Sequence, residues 1–399
     1  FDYGPSYNQI HMINGDHLHD VGYRGQGMLI GVLDAGFANA DNLAVFDSLW
    51  DHNQIIATHD FVSGGPVTFD QHSHGTAVLS IMGGNYAGEI IGTAPKASYI
   101  LMRTEDGPSE YIIEEYNWVS GAEFADSLGA DILNTSLGYN EFYDTLQNHT
   151  YENMDGNTAP ITIGADIAAS RGIVVVNSAG NAGTWAWYYI TAPADGDSVF
   201  SIGSVNAQGN PSGFSSHGPT YDGRIKPNVA AQGEGAYYAL TGGGFQYGNG
   251  TSFSSPVMAG MMACLRQAHP EMNNMELINA VQESASIATA PDNKIGYGIP
   301  DFMAALTVVE VNADAISDIK LYPNPFSSSI EIAFYAENRT NSVISILDMT
   351  GRLVFEHQFM LNKGKNRLKL SSLDNIPAGI YFMRMEVDGT AVAMKIVKQ

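Results

Sequence analysis

Four short segments carry side chains that could together break an amide bond: Gly31-Val32-Leu33-Asp34-Ala35-Gly36, His74-Gly75-Thr76, Ser178-Ala179-Gly180-Asn181 and Gly250-Thr251-Ser252-Phe253-Ser254-Ser255-Pro256. A serine hydroxyl is a weak nucleophile until a neighbouring base takes its proton, and an imidazole suits that task. A carboxylate can hold the imidazole in the required tautomer and steady the imidazolium it becomes. A side-chain amide can donate to the oxyanion formed when a carbonyl is attacked. Ser252, His74, Asp34 and Asn181 are the candidates for these four roles. Each has a plainer use when taken singly: a helix cap for Ser252, a turn carboxylate for Asp34, a loop amide for Asn181 and a structural or exposed ring for His74. Their joint presence in glycine-marked turns favours the chemistry. His72 stands nearby as a rival base.

Such groups need rigid supports. Met28–Leu33 is a continuous apolar run ending at Asp34, as expected of a strand buried on both faces. Similar runs are Ala97–Met102, Ile132–Asn134, Gly172–Asn177 and Val199–Val205, with helical patterns at Trp118–Leu128 and Ile161–Ser170. The alternation predicts an α/β fold, a mostly parallel sheet flanked by helices. Ligands of such sheets sit beyond the carboxyl ends of the strands, where Asp34, Ser136 and Asn181 fall. The run after His74 reads as an apolar helix. Ser255-Pro256 before Val257–Gln267 predicts a helix entered through proline, with Ser252 just ahead of it and facing its positive end.

The texture changes after Leu306. Val311–Lys320 reads as a polar connector, and Leu321-Tyr322-Pro323-Asn324-Pro325 punctuates the chain. Short β-like runs follow at Ile330–Tyr335, Val343–Leu347, Arg367–Leu370, Tyr381–Val387 and Val392–Val397. Turn signals at Thr350-Gly351 and Asp388-Gly389 divide them. The expected organisation is a catalytic domain over 1–309, a linker over 310–320 and a small antiparallel β-sandwich over 321–399.

Composition sets outer bounds. A chain of 399 residues exceeds most single cores, and 44% hydrophobic residues argue against wholesale disorder. A net charge of −24 argues against nucleic acid or an anionic membrane as partner. Cys264 is the only cysteine, so no intrachain disulfide forms. No apolar stretch reaches the roughly 18 residues of a membrane span. The sequence opens on Phe1 with neither initiator Met nor signal peptide, so an exported form would already be trimmed.

The order Asp34, His74, Asn181, Ser252 resembles that of the subtilisin-like serine proteases, the subtilases, over roughly residues 1–305. In that family the base directly precedes Gly-Thr, which selects His74 over His72. The resemblance implies that Ser136, Leu137 and Gly138 pair with substrate backbone and wall the first specificity pocket. Ser178, Ala179 and Gly180 would form its other wall, and Thr191 its floor. Phe214-Ser215-Ser216-His217-Gly218-Pro219 and Gly296-Tyr297-Gly298 match structural landmarks, which removes His217 from the candidate bases. Tyr3-Gly4-Pro5-Ser6, Gln9-Ile10, Leu18-His19 and Gly22-Tyr23-Arg24-Gly25 look like a mature N-terminus, which implies a cleaved propeptide.

Two departures stand out. The loop Gly83–Glu89 lacks the oxygen-rich calcium-binding sequence of many subtilases, so structural calcium stays unassigned. The acidic stretch Glu105-Asp106 through Glu110, Glu114 and Glu115 lies where relatives lay a strand beside substrate. It reads either as a solvated helix start or as a bias towards substrates with Lys or Arg near the cleavage site.

The tail resembles the C-terminal sorting domains of proteins exported by the type IX secretion system of Bacteroidota. The matching residues are Tyr322-Pro323-Asn324-Pro325, Asp348-Met349-Thr350-Gly351-Arg352, Pro377-Ala378-Gly379-Ile380-Tyr381 and Lys395-Ile396-Val397-Lys398. The resemblance implies passage through the periplasm to the outside or the cell surface; a carbohydrate- or substrate-binding sandwich is the competing reading. The expected protein is a secreted serine endopeptidase that acts on proteins or peptides, needs no cofactor for its chemistry and engages the type IX machinery. An inactive surface adhesin on a protease fold, or an esterase using the same groups, is the alternative.

Overall fold

Apolar runs separated by helices build one seven-stranded sheet, every neighbouring pair of which is parallel. This computed structural model describes all residues except 308–315, 337, 338, 340, 350, 372, 388 and 389. The chain divides into two units, Phe1–Ala305 and Leu306–Gln399.

In the first unit the strands are β1 Leu29–Asp34, β2 Ile55–Asp60, β3 Asn85–Tyr86, β4 Ile90–Ile91, β5 Ser98–Arg103, β6 Ile132–Thr135, β7 Val174–Ser178, β8 Phe200–Val205, β9 Val229–Gln232, β10 Glu234–Ala239 and β11 Phe245–Asn249. The helices are α1 Tyr7–His11, α2 Gly15–Asp20, α3 Asp47–Asp51, α4 His74–Gly83, α5 Ile113–Ser127, α6 Pro160–Ser170, α7 Thr251–Ala268, α8 Asn274–Glu283 and α9 Phe302–Leu306. The main sheet runs β2-β5-β1-β6-β7-β8-β9. Its register sets Asp34 opposite Arg103 and Leu33 opposite Thr135, so the ends of β5, β1 and β6 lie side by side.

Side chains alternate along a strand, so each face of the sheet needs its own cover. Leu33, Met102, Leu133 and Val175 pack with Trp118 of α5 and Ile161 of α6 in one buried cluster. Helix α7 lies along β6, β7, β8 and β9 and packs on α4. Its residues Val257–Leu265 are all buried, which explains the continuous apolar texture that a one-sided helix would lack.

Differences from the sequence expectation have local causes. β2 and β9 are the edge strands of the sheet. β2 mixes Thr58, His59 and Asp60 into its run, and β9 is a short run of two weakly apolar alanines closed by Gln232. Helix α5 starts at Ile113 rather than Trp118. Helix α7 starts at Thr251, which places Ser252 inside it and Pro256 in its interior rather than its first turn.

The second unit is all β: β12 Ile316–Tyr322, β13 Ile330–Ala336, β14 Asn341–Asp348, β15 Leu353–Met360, β16 Gly364–Leu370, β17 Gly379–Val387 and β18 Thr390–Lys398. They form an antiparallel sheet β12-β13-β16 and another, β15-β14-β17-β18. Ile330, Ile332 and Phe334 from the first and Ile344, Ile346, Met383 and Ile396 from the second share one core, the layering of a β-sandwich. The expected connector is corrected here, because its end, from Ile316, is strand β12; residues 311–315 and the Asp388-Gly389 turn lie outside the described residues. Asn324 accepts from Val397 N at 2.8 Å and donates to Lys395 O at 3.1 Å, while Phe326 N donates to Val397 O at 2.8 Å. The Pro-Asn-Pro segment and the C-terminal strand, the two ends of the tail's sequence pattern, are thus bonded to each other.

Candidate active site

Asp34 closes β1 and is fully buried. Its Oδ1 accepts from Ala35 N at 2.8 Å, and its two oxygens lie 2.9 and 3.0 Å from His74 Nδ1. A carboxylate only accepts, so the proton of a neutral His74 sits on Nδ1 and Nε2 keeps its lone pair. Burial pulls the His74 pKa down, but the charge and hydrogen bond of Asp34, aided by Glu105, outweigh it and the net shift is upward. His74 opens α4, and Gly75 lets that helix start settle on the loop after β1: a Cβ there would lie 2.4 Å from Gly36 O. The strand ends themselves are clamped by buried Arg103, which donates through Nε to Ala35 O at 3.1 Å and through Nη1 to Asp60 Oδ2 at 3.1 Å.

Ser252 follows Gly250 and Thr251 at the start of α7. Pro256 has no N–H, so the carbonyl of Ser252, four residues earlier, has no intrahelical donor. Ser136 supplies one, its Oγ donating to Ser252 O at 3.0 Å. In return Ser252 Oγ donates to Ser136 O at 3.2 Å. The proline expected to start the helix instead frees a carbonyl that ties α7 to the end of β6.

Asn181 lies in the loop after β7. Its Oδ1 accepts from Thr251 N at 2.9 Å and Thr251 Oγ1 at 3.1 Å. Because a backbone N–H can only donate, these bonds fix the amide orientation and leave its NH2 for another acceptor. A Cβ built on Gly250 would stand 3.7 Å from Ser252 N and 3.9 Å from Asn181 Nδ2. Two N–H donors therefore border one space in front of Gly250.

Ser252 and Asn181 line a cavity of about 390 Å³ together with Ser136, Leu137, Gly138, Ser178, Gly180 and Thr191. Gly138 and Gly180 face Thr191, whose Oγ1 lies 2.1 Å and 3.1 Å from where their Cβ atoms would stand. That hydroxyl is buried and has no hydrogen-bond partner among the described residues. Ala179 departs from expectation: it is fully buried with Ile190 and Ala194 and does not line the cavity. Sequence reading missed Glu141, Trp185 and Trp187, which do line it. Two tryptophans spaced by one residue, in a chain holding four, were the available signal.

Among the described residues neither rival histidine pairs with Asp34. His72 Nδ1 accepts from His74 N at 3.3 Å. His217 packs against Tyr188 with ring centroids 4.5 Å apart, and burial lowers its pKa. The acidic stretch is corrected from a solvated helix start to a mostly engaged group. Asp106 pairs with Arg103 at 2.8 Å, Glu114 accepts from Asp106 N at 3.2 Å, and Glu115 meets His149 at 2.5 Å. Glu105 keeps one weak contact, from Tyr139 Oη at 3.4 Å. Burial, then the charges of Asp34, Glu110 and Glu114, push its pKa up to about 8. Burial and Glu114 push Glu110 up to about 7.

Calcium wants six or more oxygens. In the loop Gly83–Glu89 the sole carboxylate, Glu89, accepts from Tyr237 Oη at 2.6 Å, and Gly88 N donates to Asp2 O at 3.0 Å. The loop is closed by these direct bonds.

A model of the subtilase family matches residues 25–298. The chain belongs to the subtilase family. Its relatives include subtilisin E of Bacillus subtilis (strain 168), 30% identical over 293 residues that cover 72% of this chain and 68% of that protein. Subtilisin DY of Bacillus licheniformis is 28% identical over 280 residues, covering 69% and 90%. Among solved structures, MycP1 from Mycobacterium smegmatis superposes with a TM-score of 0.60 at 22% identity, covering 76% of this chain and 85% of that one, a likeness of fold. Residues 320–399 match the secretion system C-terminal sorting domain. This subtilase is therefore a serine protease carrying a sorting tail of the type IX kind, which directs it to secretion or the cell surface. Among the described residues no helix is long and apolar enough to cross a membrane.

Proposed function

We propose that this subtilase is a secreted endopeptidase in which Ser252 attacks the scissile carbonyl and His74 carries the proton from serine to the leaving amine. Asp34 holds Nδ1 and stabilises the imidazolium, while Asn181 Nδ2 and Ser252 N receive the oxyanion. The observation that carries the reading is the buried Asp34 carboxylate at 2.9 and 3.0 Å from His74 Nδ1, which dedicates Nε2 to proton transfer. The convergence of Asn181 Nδ2 and Ser252 N on the space before Gly250 supports the oxyanion assignment. The resting Ser252 hydroxyl donates to Ser136 O, so the reaction begins when it turns to His74, as catalytic hydrogen bonds often tighten only with substrate bound. Protein groups alone supply this chemistry.

The side chain before the cleaved bond enters the cavity between Leu137-Gly138 and Gly180, above Thr191. The tail engages the type IX export machinery through the surface near its bonded ends, Asn324 and Lys395–Gln399. A fluorophosphonate should label the wild-type enzyme and fail to label Ser252→Ala, and the labelled enzyme should lose peptide hydrolysis. Cleavage of simple esters without cleavage of any peptide would favour the esterase reading; no labelling of the wild type would sink both.

A further inference from the structure

Helices α1 and α2 meet at the turn 12–14, where Asn14 takes a left-handed φ of 55°. The turn gathers His11, Asp16 and His17, each offering one ligand atom with all three atoms within 4.8 Å of one another. His11 Nδ1 and Asp16 Oδ2 are 2.9 Å apart. Asp16 is only 7% exposed, yet its other oxygen, Oδ1, is buried and has no hydrogen-bond partner among the described residues. A buried carboxylate oxygen left unpaired is costly and calls for a partner.

We propose that His11, Asp16 and His17 form a binding site for a first-row transition-metal dication of the zinc type, with water in the remaining position. Two imidazoles and one carboxylate make a nitrogen-rich donor set that suits zinc and its neighbours rather than calcium, which takes oxygen alone. Ligand atoms about 2 Å from zinc in a tetrahedron lie roughly 3.3 Å apart. The His11–Asp16 pair is already near that spacing, and exposed His17 closes the set by a side-chain rotation. Neighbouring His19 is not a candidate, since its Nδ1 meets Tyr3 Oη and its Nε2 meets Thr93 O, both at 2.9 Å.

The ion would staple two helices too short to persist unaided. Their junction matters to the rest of the unit. Ile13 O accepts from Phe302 N at 2.9 Å, and Gly15 packs so closely on α7 that a Cβ would lie 2.7 Å from Met261 Sδ. Metal binding at α1 and α2 thus reinforces the seat of α7, the helix whose first turn carries Ser252.

The test uses the full chain carrying Ser252→Ala to prevent self-digestion, stripped with chelator and titrated calorimetrically with zinc chloride. One saturable zinc per chain, a rise in thermal midpoint on zinc addition, and a tenfold or greater loss of affinity in His17→Ala are expected. Cobalt(II) in place of zinc should give the visible absorption of a low-symmetry nitrogen–oxygen site, absent from His17→Ala. His11→Ala serves as a second probe should one variant misfold. Failure of zinc to saturate at one per chain, or affinity unchanged in both histidine variants, overturns the proposal.

Discussion

Ser136 and Ser252 exchange hydrogen bonds in both directions, Oγ of each donating to the carbonyl of the other at 3.0 and 3.2 Å. One half of this exchange exists because Pro256 cannot donate to the Ser252 carbonyl. Ser136→Ala should therefore orphan that carbonyl, lowering stability by about 1 kcal/mol and kcat several-fold while leaving KM nearly unchanged. In a Pro256→Ala background the restored amide takes over, so the same substitution should cost clearly less. Denaturant midpoints and steady-state kinetics of the four proteins check the coupling; equal costs in both backgrounds would show that the two residues act independently.

The Asn181 amide has its oxygen committed to Thr251 and its NH2 free. Asn181→Ala removes a donor that acts on the charge developing in the transition state. A fall in kcat of about 10² to 10³ is expected, with KM little changed; the scale is that measured in subtilisin, a relative of this chain. A rise in KM at constant kcat would instead make Asn181 a simple substrate contact.

Gly138 and Thr191 meet in the lining of the cavity. A methyl on Gly138 would stand 2.1 Å from Thr191 Oγ1, inside any tolerable contact. Gly138→Ala should cut kcat/KM sharply towards peptides with a large side chain before the cleaved bond. Thr191→Ala should rescue part of that loss, because only Cβ, 3.2 Å away, then remains. Kinetics with a series of such peptides reads the rescue directly.

Much of this site could be read from residues because its supports are buried on both sides. β1, β6 and β7 had to be continuous apolar runs, so Asp34, Ser136 and Asn181 were legible at or beyond their ends. The edge strand β2, only partly buried, carried no such requirement, and β9, though buried, is a short Val229-Ala230-Ala231-Gln232 run too weakly apolar to stand out. Pro256 was misread because local rules favour proline at a helix start, and only the Ser136 hydroxyl, distant in sequence, makes an interior proline acceptable. The resemblance makes Ala179 a pocket wall, but sequence adjacency to Gly180 does not reveal which side a residue faces. Trp185, Trp187 and Glu141 reach the cavity from loops, where no periodicity marks direction.

Glu105 lies close enough to Asp34 and His74 to feel both charges, and its pKa is pushed up to about 8 by burial first and neighbouring carboxylates second. Near neutral pH it is mostly protonated, and it becomes a buried anion as pH passes about 8. A substrate Lys or Arg near the cleavage site would favour that anion, a contact worth about 1 kcal/mol in water and more when partly desolvated. The ratio of kcat/KM for basic over neutral peptides should therefore climb, roughly tenfold, between pH 7 and 9, and Glu105→Gln should flatten the climb. Stability runs the opposite way. The unfolded chain ionises this carboxyl at its ordinary, lower pKa, so the wild type loses stability as pH rises from there through about 8. Glu105→Gln should thus unfold at a higher temperature than wild type at pH 8 and show a smaller gap at pH 4. A peptide library that shows no pH-dependent gain for Lys or Arg would remove Glu105 from substrate selection and leave it a structural acid.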